Sequence, residues 1–202
     1  MSPRTPDQNE RIRAASRERI LEAALRLFAE HGYERTSVKM IAAAAGISQG
    51  LLYNYFAGKD ALLAAIFEAS MDDVRASFAA AEEEADPRRR IAGLVRGSVA
   101  VVRGNLAFWR LSYALRMQAG VMEGLGARTP EWTAAILATL ERYLREAGVD
   151  DPGLEAAVLF ATIDGVSQHY ALDPGRYPLD AVAERIIGRY DRIIADAAAP
   201  SE

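Results

Sequence analysis

The stretch SVKMIAAAAGISQGLLYNYFAGKDALL, from Ser37 to Leu63, constrains this chain more than any other part of it. It reads as a helix, a three-residue turn and a second short helix. Ile41, Ala42, Ala45, Ile47, Leu52 and Tyr55 are the expected inward positions of the pair. Gly46 stands where the chain must reverse, and glycine adopts the left-handed backbone of such a reversal without a side-chain clash. Ala42, one turn earlier, is small enough to let the two helices cross closely. A unit of this shape places its second helix in the major groove of DNA.

The net charge of −4 looks wrong for such a role until it is divided along the chain. Residues 1–60 hold nine Lys+Arg against seven Asp+Glu, a balance of +2, whereas residues 61–202 hold fifteen against twenty-one, a balance of −6. Both lysines, Lys39 and Lys59, fall in the first part. A mildly basic head on an acidic body fits a protein whose small N-terminal module alone meets phosphate. The chain has no Cys, which excludes disulfide scaffolds and thiolate chemistry. No apolar run approaches the roughly 20 residues of a membrane span, and the first fifteen residues lack the apolar middle of a secretory signal. These features predict a cytoplasmic protein with no membrane partner.

Periodicity predicts helices throughout and no sheet. Residues 1–15 read as a mobile N-terminal tail. A first helix starts at a capping Ser16 and buries Ile20, Leu21, Ala24, Leu27 and Phe28, and Gly32 ends it. Thr36 and Ser37 offer capping hydroxyls to the second helix, and the third runs from Ser48 to about Tyr55. From Lys59 a long fourth helix carries Leu62, Leu63, Ile66, Phe67, Met71, Val74 and Phe78. Asp86-Pro87, Thr129-Pro130 and Asp151-Pro152 each pair a capping residue with Pro at the first helical position. Helices are therefore expected near 59–84, 87–103, 105–122, 130–147, 152–171 and 179–197. The fold class is all-α: a three-helix module over 16–58, then a larger helical domain over 59–202.

The run from ILEAALRLFAEHGYERTSV through IAAAAGIS to LLYNYFAGKDALL closely resembles the tetracycline-repressor (TetR) family of bacterial transcriptional regulators. The resemblance covers about a third of the chain. It implies a homodimer that binds a roughly palindromic double-stranded DNA operator, with an effector pocket and the dimer interface in the larger domain. For Thr36 and Ser37, at a helix N-terminus, hydroxyls, free N–H groups and the dipole all favour a phosphate; both also have a simple capping role. Lys59 resembles the family's phosphate-contacting lysine. Ser48, Gln49 and Gly50 form the leading turn of the recognition helix; Gln49 can bond adenine bidentately and Gly50 permits close approach. Tyr53 and Tyr55 resemble the family's aromatic positions at the end of that helix, which implies that one of them bonds a phosphate and that Tyr53 can also touch a thymine methyl; the alternative for Tyr55 is a core position with its hydroxyl at the surface. Lys39 is either a DNA contact or a solvated charge. Arg11, Arg13 and Arg17 form either an arm toward the minor groove or backbone or, for the first two, a solvated tail.

In the body, LAFWRLSYALRMQAGVM concentrates Phe108, Trp109, Tyr113, Met117 and Met122 on one helix. With Phe67, Met71 and Phe78 they are candidates for an apolar cavity holding a small apolar or aromatic effector, or for ordinary core. Arg110, Arg116, Gln118, Asp164 and His169 are the polar groups available to orient it. On the last two helices Leu159, Ile163, Val166, Ile186, Tyr190 and Ile193 supply apolar faces, and the resemblance implies a four-helix interface there.

A catalytic reading has little material. HEXXH, P-loop and GxSxG patterns are absent, and with two His and no Cys no metal site or cofactor is expected. Asp164, Ser167 and His169 invite a triad, but 164 and 167 share a helix face that 169 does not. The sequence thus predicts a ligand-released repressor, against an activator of the same fold or a helical interaction protein whose helix-turn-helix reads no DNA.

Overall fold

A computed structural model describes residues 6–116, 118 and 128–198, and among them every regular element is an α-helix. In order these are α1 (Pro6–His31), α2 (Val38–Ala44), α3 (Gln49–Tyr53), α4 (Lys59–Glu82), α5 (Pro87–Gly104), α6 (Leu106–Arg116), α7 (Arg128–Glu146), α8 (Pro152–Leu172) and α9 (Leu179–Ala197). The chain divides into two compact units, the first ending at Ala69 and the second starting at Ser70. No single helix among the described residues is long and apolar enough to cross a membrane.

The first unit is built on the apolar face of α1. Ile20, Ala24, Leu27 and Phe28 are buried with Ile41 and Ala42 of α2, Leu52 of α3 and Leu62, Leu63 and Ile66 of α4. Tyr33 folds back over the end of α1, its ring 5.1 Å from that of Phe28. The expected start at Ser16 is corrected: α1 begins at Pro6, and residues 6–15, read as a tail, are helical. Ser16 is buried inside the helix, and its Oγ accepts a bond from Arg19 at 3.2 Å. Proline at a first helical turn donates nothing that the helix needs, so a start at Pro6 is as well specified as one at a serine.

In the second unit α5, α7, α8 and α9 surround one core. Ile91, Leu94 and Val95 of α5 meet Leu140, Tyr143 and Leu144 of α7, Ala156 and Leu159 of α8, and Ala183, Ile186, Ile187 and Tyr190 of α9. Gly97 is needed for close packing: a Cβ there would lie 2.4 Å from Ser77 Oγ. The α5–α6 pair bends by 94° at Asn105, whose N–H still bonds Val101 O of α5 while its side chain accepts from Phe108 N of α6. One residue thus ends one helix and caps the next.

Of the three Pro-linked helix starts, one holds and two are revised. Asp86 caps α5 as expected, accepting from Arg88 N at 2.9 Å. Asp151 does not cap α8 through its side chain; it holds a left-handed φ of 50°. Helix α7 starts at Arg128, ahead of Thr129. The described part of the helix expected to reach 122 ends at Arg116, so Met117 and Met122 lie outside the described residues. Three of the six residues assigned to a dimer interface are corrected too. Leu159, Ile186 and Tyr190 are buried in the chain's own core, and Ile163, Val166 and Ile193 pack against it half-buried. An apolar residue at helical spacing satisfies an internal core as well as an external one, so periodicity alone does not separate the two.

Glu82, at the end of α4, accepts bonds from Arg142 at 2.7 Å and from the Tyr143 hydroxyl. The Arg142 bond first, then that of Tyr143, holds its carboxyl at about 2, below the ordinary 4.5. A folded-state value below the unfolded one stabilises the fold above the unfolded pKa and is lost as pH falls through the folded pKa. Urea denaturation followed across pH should therefore show Glu82→Gln less stable than the parent at neutral pH. The two should converge as pH drops from about 4.5 toward about 2.

Candidate nucleic-acid interface

The turn between α2 and α3 is a closed hydrogen-bonded unit. Gly46 holds φ +70°, Gly46 N donates to Ala43 O at 3.1 Å and Ile47 N to Ala42 O at 3.0 Å. This is the Schellman pattern, in which a left-handed residue turns the chain while its N–H groups satisfy the last helical carbonyls. Ser48 then caps α3, its hydroxyl accepting from Leu51 N at 3.1 Å. Of the five residues of α3 only Leu52 is buried. Gln49, Gly50, Leu51 and Tyr53 are exposed, Tyr53 by 50%. A Cβ at Gly50 would meet nothing within 4 Å, so no protein contact demands glycine there.

Ser37 caps α2, accepting from Met40 N at 3.2 Å, and Lys39 and Met40 lie exposed beside it. Thr36 requires correction. It is 2% exposed, and its hydroxyl faces Leu27 O at 3.1 Å and Gly32 O at 2.8 Å, so it neither caps α2 nor faces solvent. Its job is to tie the loop to the end of α1.

Lys59 is tied as well. Its ammonium donates to Tyr33 O at 2.9 Å and Glu34 O at 3.3 Å, lies 4.3 Å from the Tyr33 ring centroid and 3.9 Å from the Glu34 carboxylate. The neighbouring Asp60 accepts a bond from the Tyr33 hydroxyl. Burial first, then that bond, pushes the Tyr33 phenol upward, so it stays a donor. Lys and Asp at the start of α4 thereby lock the α1–α2 connection. Tyr55, read as an inward residue, is half-buried; the aromatic that closes the core is Phe56, 6% exposed, which sequence reasoning missed. Its signal was the residue after Tyr55 in a run already rich in aromatics. Ala45 and Ile47 are half-buried too.

Among the body residues, Phe108 is fully buried and its ring meets that of Trp109 edge-on at 5.2 Å; Tyr113 lies 6.0 Å beyond. Met71 is buried and Phe78 half-buried against the core, while Phe67 is buried in the first unit. Trp109 Nε1 is buried with no hydrogen-bond partner among the described residues. The Tyr113 hydroxyl donates to Asp164 O at 3.4 Å, and burial foremost pushes its phenol upward. Arg116 holds both Asp164 oxygens at 2.9 and 2.8 Å, and Arg110 donates to Ala171 O at 2.6 Å. His169 does not join them: it is exposed and stacks on Tyr177 at 5.9 Å. Asp164, buried Ser167 and exposed His169 make no triad. No group of metal ligands occurs among the described residues.

Residues 20–66 match the family described as bacterial regulatory proteins, tetR family, and residues 87–194 match the BetI-type transcriptional repressor C-terminal family. The chain is 30% identical over 192 residues to the HTH-type transcriptional regulator BetI of Rhizobium meliloti, covering 80% of this chain and 93% of that one. It is 31% identical over 156 residues to an HTH-type transcriptional repressor of Mycobacterium tuberculosis, covering 72% and 75%. A transcriptional regulator from a Rhodococcus species shares the fold at a TM-score of 0.77 and 23% identity, covering 91% of this chain and 99% of that one.

The buried Thr36 hydroxyl yields a sharp expectation. Thr36→Val should lower unfolding free energy by about 1 kcal/mol, the usual net worth of such a bond, as read by urea denaturation. DNA affinity per folded molecule should stay the same. Weakened binding at unchanged stability would return Thr36 to the DNA.

Proposed function

The chain belongs to the tetR family of bacterial regulatory proteins and is a transcriptional regulator, and we propose that it is a ligand-released repressor that binds a palindromic operator as a homodimer. The observation that carries this reading is α3: Leu52 anchors it while Gln49, Gly50 and Tyr53 face outward. Gln49 offers an amide able to pair with adenine N6 and N7, and the bare Gly50 lets the backbone come close to a base edge. Ser37, Ser48 and Lys39 supply backbone N–H groups or a charge toward phosphates on either side. Lys59 is reassigned as the tie that holds the α1–α2 loop, and Thr36 as a packing group. The DNA-binding part is α1 to α3 with the start of α4, and the rest of the chain carries ligand and dimer contacts.

The effector reading rests on Phe108, Trp109 and Tyr113 and on Trp109 Nε1, which has no partner among the described residues. A buried donor without a partner is costly, and an apolar or aromatic ligand with one acceptor oxygen relieves it. A ligand that prefers one arrangement of the body shifts the population away from the DNA-competent one. No catalytic role is assigned, since Asp164 is held by Arg116 and the His169 imidazole lies elsewhere.

For the homodimer, the supporting feature is the outward side of α8. Leu154 and Leu172 are 62% and 73% exposed, with exposed Ala157, Ala161 and Gln168 between them. A helix apolar all round has a second face to cover, and small residues let a twin helix approach closely. A twofold body is also what places two reading helices roughly 34–36 Å apart.

Selection of duplexes from a random pool tests the DNA reading, with affinity then measured by fluorescence anisotropy. Gln49→Ala should erase preference for the selected duplex over random DNA while retaining weak general binding. The selected duplex placed across a reporter promoter should lower expression when the chain is present; raised expression would make it an activator. If no duplex is preferred, the helix-turn-helix is only structural. Separately, Ala161→Glu should convert a dimer to a monomer in sedimentation velocity without unfolding it, because the position is exposed within one chain.

A further inference from the structure

Arginines elsewhere in the second unit mostly pair with carboxylates, as Arg90 does with Glu146, Arg116 with Asp164 and Arg142 with Glu82. Two carboxylates of α9, Asp180 and Glu184, go to Arg103 and Arg96 of α5. That leaves Arg185, Arg189 and Arg192 of α9 unmatched. All three are exposed, and none has a hydrogen bond or ion pair among the described residues; Arg189 lies 6.0 Å from the ring centroid of the adjacent Tyr190. Arg88 and Arg176 are free as well, but each stands apart, on α5 and in the loop after α8. At helical spacing the α9 trio forms a row about 10 Å long within an arc of about 60°. Like charges so placed repel one another, and no anion within the described chain relieves them. Beside the row lie Ala181, Gly188 and Ala195, spaced two turns apart. Gly188 stands inside a helix, where glycine is destabilising, yet a Cβ there would meet nothing within 4 Å. No contact inside the chain explains it.

We propose that this side of α9 docks an acidic helix of another protein, whose carboxylates at i, i+4 and i+7 meet Arg185, Arg189 and Arg192 while its backbone crosses at Gly188. Charge selects the partner. Residues 61–202 carry a balance of −6, which repels a broad negative surface such as a duplex or an anionic membrane. A helix whose negative charge is confined to one row gains the arginines without facing the rest of that field. Shape selects it too, since small residues at a contact bring two helix axes close together. A second copy of this chain fits poorly. Its own α9 would set arginine against arginine. On its α8 the carboxylates between Leu154 and Leu172 are Glu155 and Asp164, already held by the Tyr190 hydroxyl and Arg116. Arginine is also the charged side chain most at home in protein interfaces. This surface is independent of the α3 reading head.

The test uses the full chain and a labelled alanine-rich helical peptide with Glu at i, i+4 and i+7, read by fluorescence anisotropy at low salt. A scrambled peptide of the same composition is the control and should bind roughly tenfold more weakly. Single changes of Arg185, Arg189 or Arg192 to Ala should each weaken the Glu peptide about threefold, the size expected of exposed ion pairs. Reversing all three to Glu should abolish it and create binding to the same peptide with Lys in place of Glu. Gly188→Ala should raise the melting temperature by about 2–4 °C, because no contact within the chain needs glycine there. Gly188→Leu should melt no lower than the parent and lose the Glu peptide. Equal binding of the scrambled peptide, or none of either, overturns the docking site. So does a Gly188→Ala chain that melts below the parent, which marks an internal role for the glycine. A triple reversal that turns a dimer into a monomer in sedimentation velocity assigns the row to a second copy instead. Parent binding to phosphatidylserine vesicles that the reversal removes assigns it to a membrane surface, and either result defeats the acidic-helix reading.

Discussion

A helix of five residues has no stability of its own, because nucleating one turn fixes more dihedral angles than it forms hydrogen bonds. Helix α3 therefore exists only by virtue of what surrounds it: the closed turn at Gly46, the Ser48 cap and burial of Leu52. Everything the protein does with DNA depends on that constraint. It frees the remaining positions of α3 from packing duties, leaving Gln49, Gly50 and Tyr53 outward. It also explains why the module is cross-tied so heavily nearby. Thr36 holds the loop to α1, Lys59 holds it to α4, and the Tyr33–Asp60 bond closes the same corner.

Those ties show how a side chain's type and its task separate. A lysine at a helix start and a threonine before a helix are both plausible phosphate ligands by composition. In the folded chain the nearest oxygens to each are its own backbone carbonyls, 2.9 Å from Lys59 and 2.8 Å from Thr36. The buried Thr36 hydroxyl and the half-buried Lys59 ammonium take such partners because a buried polar group left unpaired is costly. The ties also join α1, the start of α4 and the reading helix within the first unit, so positional precision at α3 derives from residues that touch no base.

In the body the polar contacts fall into two kinds. Exposed pairs such as Arg96–Glu184 and Arg103–Asp180 link α5 to α9 at the surface, where screening leaves them a small stabilising effect. The Arg116–Asp164 pair and the Tyr113 hydroxyl instead join α6 to α8 beside the aromatic cluster. The half-buried Tyr113 ring lies in a lower local dielectric there, while the Arg116–Asp164 pair stays in reach of solvent, and Trp109 Nε1 is buried with no partner among the described residues.

The sequence by itself determined the helical class, the turn at Gly46 with the short helix after it, and a helix boundary between 103 and 105, since these follow from local rules: periodicity, caps and left-handed backbone at glycine. It also exposed the basic head and acidic body. Tertiary structure alone decided the rest. Periodicity marks a residue as apolar-facing without saying which neighbour it faces, so Leu159, Ile186 and Tyr190 were read as interface and proved to be core. His169 and Asp164 share a helix, yet one stacks on a loop tyrosine in solvent and the other pairs with Arg116. Tyr55 and Phe56 are adjacent aromatics of similar size, and only the packing of the module made one a buried anchor and left the other half-buried. Long-range proximity is a property of the packed chain, which no local spacing encodes.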